Sequence, residues 1–282
     1  MPEAFVLTLS CPDRIGIVHA VTGFLAERSA NITEAAQYND TATGLFFMRM
    51  RFDAAEAALA DLRRDFAPLA ERVQMTWGLF AAAERLPAVI MVSKLGHCLH
   101  DLLFRHRSGL LPIDIRAVVS NHRDFYQLAA SYDIPFHHLP VTPAGKAQAE
   151  ERLLEIVDAE KIELVVLARY MQVLSQQLCE RLAGRAINIH HSFLPSFKGA
   201  RPYQQASDRG VKLIGATAHY VTADLDEGPI IEQDIARVDH TMDAARLTAM
   251  GRDIESAVLA RAVLWHAERR VLVDGRKTVV FR

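Results

Sequence analysis

The segment IELVVLARYMQVLSQQLCERLAGRAINIH, residues 162–190, contains two strand-like runs separated by one helical stretch. The first run, IELVVLA, is almost continuously apolar, the stretch near 175–183 favours a helix, and AINIH carries two β-branched residues. Buried strands that are joined by a helix are typical of a parallel sheet. This segment therefore predicts an α/β fold.

The same alternation of strands and helices runs through most of the second half of the chain. Further strands are predicted at AVIMVS and IDIRAVVS, with helices near 97–107, 123–132 and 144–159. Two later strand-like runs are joined by an acidic turn with glycine and proline, and a long helix follows from about 243 to 269. The pattern predicts a mostly parallel sheet with helices on both faces.

The first part of the chain has a different order of elements. AFVLTLS and GLFFMRMRFD favour strands, the second with one solvent-facing side, and AAEAALADLRRDFAPLAERV favours an amphipathic helix. The complete order of strand, helix, strand, strand, helix, strand is the ferredoxin-like βαββαβ arrangement. Because Pro87 ends a short polar passage, we expect a first domain over 1–83, a linker at 84–87 and a second domain over 88–282.

The composition argues against several classes of partner. The chain has 282 residues, 50% of them hydrophobic, and 32 basic residues against 34 acidic ones give a net charge of -2. With this balance we expect neither nucleic acid nor a membrane surface as a partner. The three cysteines form no C-x-x-C pair, the N-terminus does not have the pattern of a signal peptide, and no apolar run reaches about 20 residues. We therefore expect a cytoplasmic protein.

Polar side chains meet at the carboxyl end of the strand AINIH. Asn188 and His190 end this strand, and the later loop TADLDEGP supplies the acids Asp224, Asp226 and Glu227. Ligands of open α/β sheets bind beyond the carboxyl ends of the strands. A histidine beside a carboxylate can transfer protons, and an amide can stabilise an oxyanion, so the set suits attack on an acyl carbon. The alternative, a capped turn with histidines that only satisfy local hydrogen bonds, stays open at this point.

Metal and dinucleotide sites have little support in the sequence. His97, His100, His137, His138 and His219 are scattered and form no H-E-x-x-H element. There is also no P-loop, no G-x-S-x-G elbow and no G-x-G-x-x-G behind a strand. We therefore expect neither a metal nor a cofactor.

The segments NIHHSFLPSFKGARPYQQA and GATAHYVTADLDEGPII resemble the signature of the folate-dependent formyl-transfer fold. The resemblance covers nearly all of residues 87–282 and implies a Rossmann-like domain with Asn188, His190 and Asp226 as catalytic residues. The doubled histidine, GARPY and DEGPIIEQD resemble the formyltetrahydrofolate deformylases more than the transformylases. This family implies hydrolysis of 10-formyltetrahydrofolate to tetrahydrofolate and formate, which supplies purine biosynthesis and balances the one-carbon folate pools.

The N-terminal segment CPDRIGIVHAVTGFLAERSANI is similar to an ACT domain, a ferredoxin-like regulatory module. The resemblance implies an amino-acid effector and a homo-oligomer formed by edge-to-edge pairing of these domains. The effector residues that it implies are Asp13, Arg14, Ile15, Gly16 and Asn31. A domain that serves oligomer assembly alone is the alternative.

The resemblance also implies which residues surround the substrate. Met171, Val173 and Leu174 are expected to form an apolar wall for the pterin, with ordinary core packing as the alternative. The residues after the catalytic strand are expected to shape the pocket, hold the glutamate tail or place a water molecule. These are His191, Ser192, Lys198, Gly199 and Arg201.

The loop after AVIMVS favours water over an amine as the nucleophile. Transformylases of this fold cradle a phosphate with a Gly- and Ser-rich loop, whereas this chain has SKLGHCLHDLL with the single Gly96. Two other functions remain open: a transferase that passes the formyl group to an amine, and a sensor that binds folate or an amino acid without turnover.

Overall fold

The computed structural model describes residues 3–55, 58–194 and 202–282. The chain divides into two compact units. The first contains the described residues up to Glu84 together with 268–274 and 278–282, and the second contains 85–267 and 275–277.

The first unit has the predicted βαββαβ order. Its elements are β1 (Glu3–Pro12), α1 (Ile17–Ala26), β2 (Asn31–Asp40), β3 (Leu45–Ala54), α2 (Leu59–Val73) and β4 (Thr76–Ala81). The strands form a sheet in the order β2-β3-β1-β4, in which β3 pairs antiparallel with β1 and β2, and β1 pairs antiparallel with β4. This order confirms the ferredoxin-like prediction.

Alternating side chains of the two central strands form the core of the first unit. Phe5 and Leu7 from β1 pack with Met50 and Phe52 from β3, and Phe66 from α2 is fully buried among them. Since successive side chains of a strand point to opposite faces, this alternation directs one face of the sheet to the helices.

The second face of β3 differs from the prediction of a solvent-facing side. Phe47 is fully buried, and Arg49 is only 3% exposed. The guanidinium of Arg49 pairs with Glu34 at 2.7 Å and donates to the backbone carbonyl of Glu268 at 3.1 and 3.3 Å. The part of the chain that covers Arg49 lies more than 200 residues away, so local patterning did not predict its burial.

The second unit is an α/β fold with a seven-stranded sheet. Its elements are β5 (Leu86–Val92), α3 (His97–Arg107), β6 (Ile113–Ser120), α4 (Tyr126–Ala130), β7 (Phe136–His138), α5 (Lys146–Ala159), β8 (Leu164–Leu167), α6 (Gln176–Arg181), β9 (Ala186–His190), α7 (Pro202–Asp208), β10 (Leu213–Tyr220), β11 (Ile230–Arg237) and α8 (Ala244–Ala267). The strand order is β11-β10-β9-β8-β5-β6-β7. The pairs among β5 to β9 are parallel and those of β10 are antiparallel, which confirms the mostly parallel sheet.

The long helix α8 packs on the second sheet and carries one buried charge. It buries Leu247, Val258 and Leu259 together with Glu255, which is 1% exposed. A buried carboxylate needs charged or hydrogen-bonded partners, so its surroundings bear on function. Neither α8 nor any other helix among the described residues is long and apolar enough to cross a membrane.

After α8 the chain forms a two-stranded sheet from β12 (Val271–Asp274) and β13 (Lys277–Val280). Most of this segment groups with the first unit, whereas the sequence predicted a second domain that continued to residue 282. Arg270 connects this segment to the first unit, because it pairs with Glu34 at 3.1 Å and donates to the carbonyl of Phe281.

Replacing Phe66 with alanine tests the core of the first unit. The ring packs edge-on against Phe24 at 5.1 Å and Trp77 at 4.9 Å between centroids. We expect Phe66→Ala to lower the free energy of unfolding of this unit by about 3–5 kcal/mol, with a smaller loss for Phe66→Leu. Denaturant unfolding followed by Trp77 fluorescence measures this free energy. A loss below about 1 kcal/mol for Phe66→Ala would contradict this packing.

Candidate active site

The structure brings Asn188, His190 and Asp226 together at the carboxyl end of β9. Asn188 and His190 are two residues apart on this strand, so their side chains leave the same face. Asp226 lies in the turn between β10 and β11, and its Oδ2 is 3.1 Å from Nδ1 of His190. All three side chains line one cavity of about 240 Å³.

The turn that carries Asp226 has a tightly defined backbone. Asp226 adopts a left-handed conformation with φ 57°. A Cβ atom on Gly228 would lie 1.7 Å from the carbonyl oxygen of Tyr220, so only glycine fits there. The amide of Tyr220 donates to the carbonyl of Pro229 at 2.9 Å and closes the turn. These constraints fix where the carboxylate points.

A second histidine, His219 on β10, links Asn188 to Asp226. Its Nδ1 donates to the carbonyl of Tyr220 at 2.9 Å, because a carbonyl can only accept. Its Nε2 lies 3.3 Å from Nδ2 of Asn188 and 3.6 Å from Oδ1 of Asp226. In the neutral ring, Nε2 accepts an amide hydrogen of Asn188, and the other amide hydrogen can point to a ligand.

The sequence alone shows His219 only as one member of a scattered set of histidines. The signal that it lacked was the antiparallel pairing of β10 with β9, which places His219 directly opposite Asn188. No local spacing reveals that register. His219 is almost completely buried, so its hydrogen bonds are made inside the protein.

The carboxylate of Asp226 is ionised over the ordinary pH range. Burial alone would raise the pKa of Asp226, but the hydrogen bond from His190 is the largest of the interactions that outweigh burial and hold this pKa well below its usual value. Because the carboxylate accepts from Nδ1 of His190, the neutral ring has its lone pair on Nε2. That Nε2 is buried and has no hydrogen-bond partner among the described residues, as expected for an atom that receives a ligand proton.

The predicted apolar wall lies across the same cavity. It is formed by Met171, Val173, Leu174 and Leu225. Met171 and Val173 are each more than half exposed, so they are not packed in the core as the alternative supposed. A planar heteroaromatic ring is the kind of ligand that a half-exposed apolar wall beside a few polar groups accommodates.

Of the remaining predicted substrate residues, His191 and Ser192 do not line this cavity. His191 and Ser192 are buried, and the carbonyl of Ser192 accepts from Thr217 at 2.9 Å. Burial and the charge of Arg169 lower the pKa of His191 to about 3, so its ring is neutral. Lys198, Gly199 and Arg201 lie outside the described residues.

One group of potential metal ligands occurs among the described residues. His97, Cys98 and Glu255 bring a nitrogen, a sulfur and an oxygen within 4.8 Å of one another. Glu255 already accepts from His97 at 2.8 Å and from Tyr203 at 2.6 Å. Burial raises the pKa of the Cys98 thiol, and the guanidinium of Arg169 lies 3.3 Å from Glu255. A protonated thiol and a neighbouring cation suit a hydrogen-bonded network better than a cation site.

Within the first unit, three of the five predicted effector residues line a surface depression. They are Asp13, Arg14 and Gly16, and Asn39 joins them by donating to Asp13 at 2.8 Å. Ile15 does not line the depression, although its side chain is fully exposed. Asn31 lies at the opposite end of β2 from Asn39 and is therefore roughly 25 Å from the loop.

Comparisons with known proteins match both units. The family model described as Formyl transferase matches residues 87–263, and the ACT domain model matches residues 5–66. These matches define a class of protein in which a formyl transferase domain follows an ACT domain. A formyltetrahydrofolate deformylase of Corynebacterium sp. is 53% identical over 98% of both chains.

Solved structures agree with the sequence matches. A formyltetrahydrofolate deformylase of Burkholderia mallei superimposes with a TM-score of 0.96 at 54% identity over 100% of both chains. The chain belongs to the formyltetrahydrofolate deformylase family, as the sequence resemblance implied. A glycinamide ribonucleotide transformylase of Symbiobacterium toebii shares 29% identity and a TM-score of 0.66 over 72% of this chain and 97% of that one.

The lowered pKa of Asp226 can be tested through stability. As the pH falls below about 4, the unfolded chain takes up a proton at Asp226 while the folded protein does not. The contribution of this carboxylate to the free energy of unfolding is therefore complete at pH 5 and is reduced by about 1 kcal/mol at pH 3. Urea unfolding should show the stability of the wild type falling by this amount relative to Asp226→Asn between the two pH values.

Asp133→Asn is the control for this experiment, because Asp133 is an exposed aspartate of the same unit that also has a left-handed backbone. The free energies of unfolding of the wild type and of Asp133→Asn should change in parallel between pH 5 and pH 3. If the difference in free energy of unfolding between the wild type and Asp226→Asn stayed constant from pH 5 to pH 3, the folded protein would not lower the pKa of Asp226.

Proposed function

We propose that this protein hydrolyses 10-formyltetrahydrofolate to tetrahydrofolate and formate. The observation that carries the proposal is the buried, unpartnered Nε2 of His190, which shares a cavity with the amide of Asn188 and an exposed apolar wall. The deformylases that are about half identical over nearly the full chain support the same substrate.

Hydrolysis begins with attack of water on the formyl carbon. Nε2 of His190 takes a proton from the water as the C–O bond forms, and Asp226 stabilises the positive charge that the ring acquires. The amide hydrogen of Asn188 that does not bond His219 donates to the developing oxyanion. The C–N bond then breaks, and the proton passes from His190 to the departing folate nitrogen. The products are tetrahydrofolate and formic acid, which ionises to formate.

The pterin of the substrate would lie against the wall of Met171, Val173 and Leu174, with backbone groups of this loop as hydrogen-bond partners. The exposed apolar side chains support this placement, because a flat ring would bury them. The formyl group would then face Asn188 and His190 across the cavity.

Asn188→Ala and His190→Ala test the catalytic assignment. Each removes a group that acts on the transition state, and loss of one oxyanion donor costs about 2.7–4 kcal/mol. We therefore expect kcat for formate release to fall by about two orders of magnitude or more, with the folded structure retained. Stopped assays of formate, with circular dichroism of each variant, measure both quantities.

His137→Ala is the matched control, since His137 lies on β7 at the far edge of the same sheet. Its formate release should equal that of the wild type. Near-full activity of either Asn188→Ala or His190→Ala would refute the assignment. Running the wild type without any amine separates hydrolysis from formyl transfer and from a sensor without turnover, because only a hydrolase releases formate in that assay.

We also propose an amino-acid effector site and a homo-oligomer for the first unit. The depression beside Asp13, Gly16 and Asn39 offers a carboxylate, a loop backbone and an amide, which suit the ammonium and carboxylate groups of an amino acid. The edge strand β2 supports pairing with a second copy. The three buried, unpaired cysteines support a reducing, cytoplasmic location, from which formate would supply purine biosynthesis.

Asn39 and Asn31 lie near opposite ends of β2, so substituting each of them tests where the effector binds. Titration with each common amino acid, followed by calorimetry and by formate release, should identify a ligand. We expect Asn39→Ala to weaken its binding at least tenfold, because Asn39 orients Asp13. Asn31→Ala, at the other end of the strand, should leave binding unchanged. Equal effects of the two substitutions would contradict this site.

A further inference from the structure

Arg169 is a buried cation on the wall of the catalytic cavity. It follows β8 directly, is 6% exposed, and shares the cavity with Asn188 and His190. Its backbone is left-handed with φ 65°, a conformation that is strained for any residue with a Cβ atom. Strain of this kind persists where surrounding contacts enforce it, and it concentrates at functional sites.

A buried carboxylate on α8 holds the arginine in place. Oε2 of Glu255 lies 3.3 Å from Nε of Arg169 and accepts from His97, while Oε1 accepts from the hydroxyl of Tyr203. Burial alone would raise the pKa of Glu255, but the bond from His97 and the charge of Arg169 lower it overall. Glu255 is therefore ionised, and neither Glu255 nor Arg169 can leave the other without exposing an unpaired buried charge.

Tight packing leaves little freedom in this network. The ring of Tyr203 contacts the backbone of α8 at Gly251, where a Cβ atom would lie 2.1 Å from the ring. At the start of α3, a Cβ on Gly96 would lie 2.3 Å from the ring of Phe125. Glycine at position 251 leaves room for the ring of Tyr203, whose hydroxyl bonds Glu255.

The network adjoins the catalytic ring through His191. The rings of His190 and His191 have centroids 5.3 Å apart, and those of His191 and Tyr203 are 6.2 Å apart. The side of His190 that faces His191 is thus backed by a neutral imidazole, a phenol and an ion pair. Arg169 itself lines the cavity that Asn188 and His190 share, so it takes up space beside these two residues, on what we call the acceptor side.

We propose that Arg169, held by Glu255, is a specificity-determining residue that fills the space beside the formyl carbon and leaves room there for water but not for an amine. This inference rests on the proposed function. A transformylase of the same fold carries out transfer, as its name states, so the fold alone does not select water. A side chain that occupies the acceptor side is sufficient to do so.

The left-handed backbone of Arg169 makes a clean test available. Glycine adopts this conformation without strain, so Arg169→Gly removes the side chain and leaves the backbone in place. Hydroxylamine serves as the probe amine. In the transfer reaction its N–C bond forms, the bond from the formyl carbon to folate nitrogen breaks, and one amine proton passes through His190 to that nitrogen. The products are formohydroxamate and tetrahydrofolate.

The measured quantity is the ratio of formohydroxamate to formate at fixed hydroxylamine. We expect this ratio to rise at least tenfold in Arg169→Gly relative to the wild type, with the KM for 10-formyltetrahydrofolate little changed. Arg269→Gly is the matched control, because Arg269 is also left-handed, with φ 56°, but stacks on Phe80 in the first unit. Its ratio should equal that of the wild type.

Glu255→Gln provides a second variant, since it keeps the shape of the side chain and removes the charge that holds Arg169. We expect a smaller rise of the ratio, and thermal unfolding establishes that each variant is folded. An unchanged ratio in folded Arg169→Gly, or a loss of both products, would overturn the proposal, and if Arg169→Gly does not fold, an unchanged ratio in Glu255→Gln would do so. Absence of formate release by the wild type would instead refute the proposed function.

Discussion

The antiparallel pairing of β9 with β10 is the constraint on which the active site depends. It sets His219 opposite Asn188, and it returns the chain through a turn that places Asp226 against His190. The parallel strands supply the open end of the sheet, and Asp226 is the one carboxylate among the described residues that line the cavity. The proposed catalytic set therefore arises where a parallel sheet acquires an antiparallel edge.

Two carboxylates of the second unit, Asp226 and Glu255, have different partners. Asp226 faces the cavity, and its hydrogen bond fixes which nitrogen of His190 is free to take a proton. Glu255 lies among His97, Arg169 and Tyr203, where its charge keeps a strained arginine in place. The two proposed roles, proton transfer at His190 and restriction of the cavity by Arg169, thus depend on different carboxylates.

The sequence predicted the elements whose signals are local. The helix α3 and the strands β6 and β9 have the predicted bounds, because apolar periodicity and turn residues define them. The three-residue strand β7 is too short to show a period, and it was not predicted. The roles of His219 and Arg169 depend on contacts between distant strands and helices, and the burial of Arg49 depends on residue 268. Asn188, His190 and Asp226 were found through a family motif that no single spacing contained.

The return of the chain to the first unit affects the order in which the protein is completed during synthesis. Arg49 and its partner Glu34 are made early, yet the carbonyl of Glu268 that Arg49 also bonds is made only after residues 85–267 of the second unit. Until then Arg49 of the nascent ferredoxin-like unit has Glu34 but lacks this carbonyl. The unit that is synthesised first can therefore be completed only after most of the second unit has been translated.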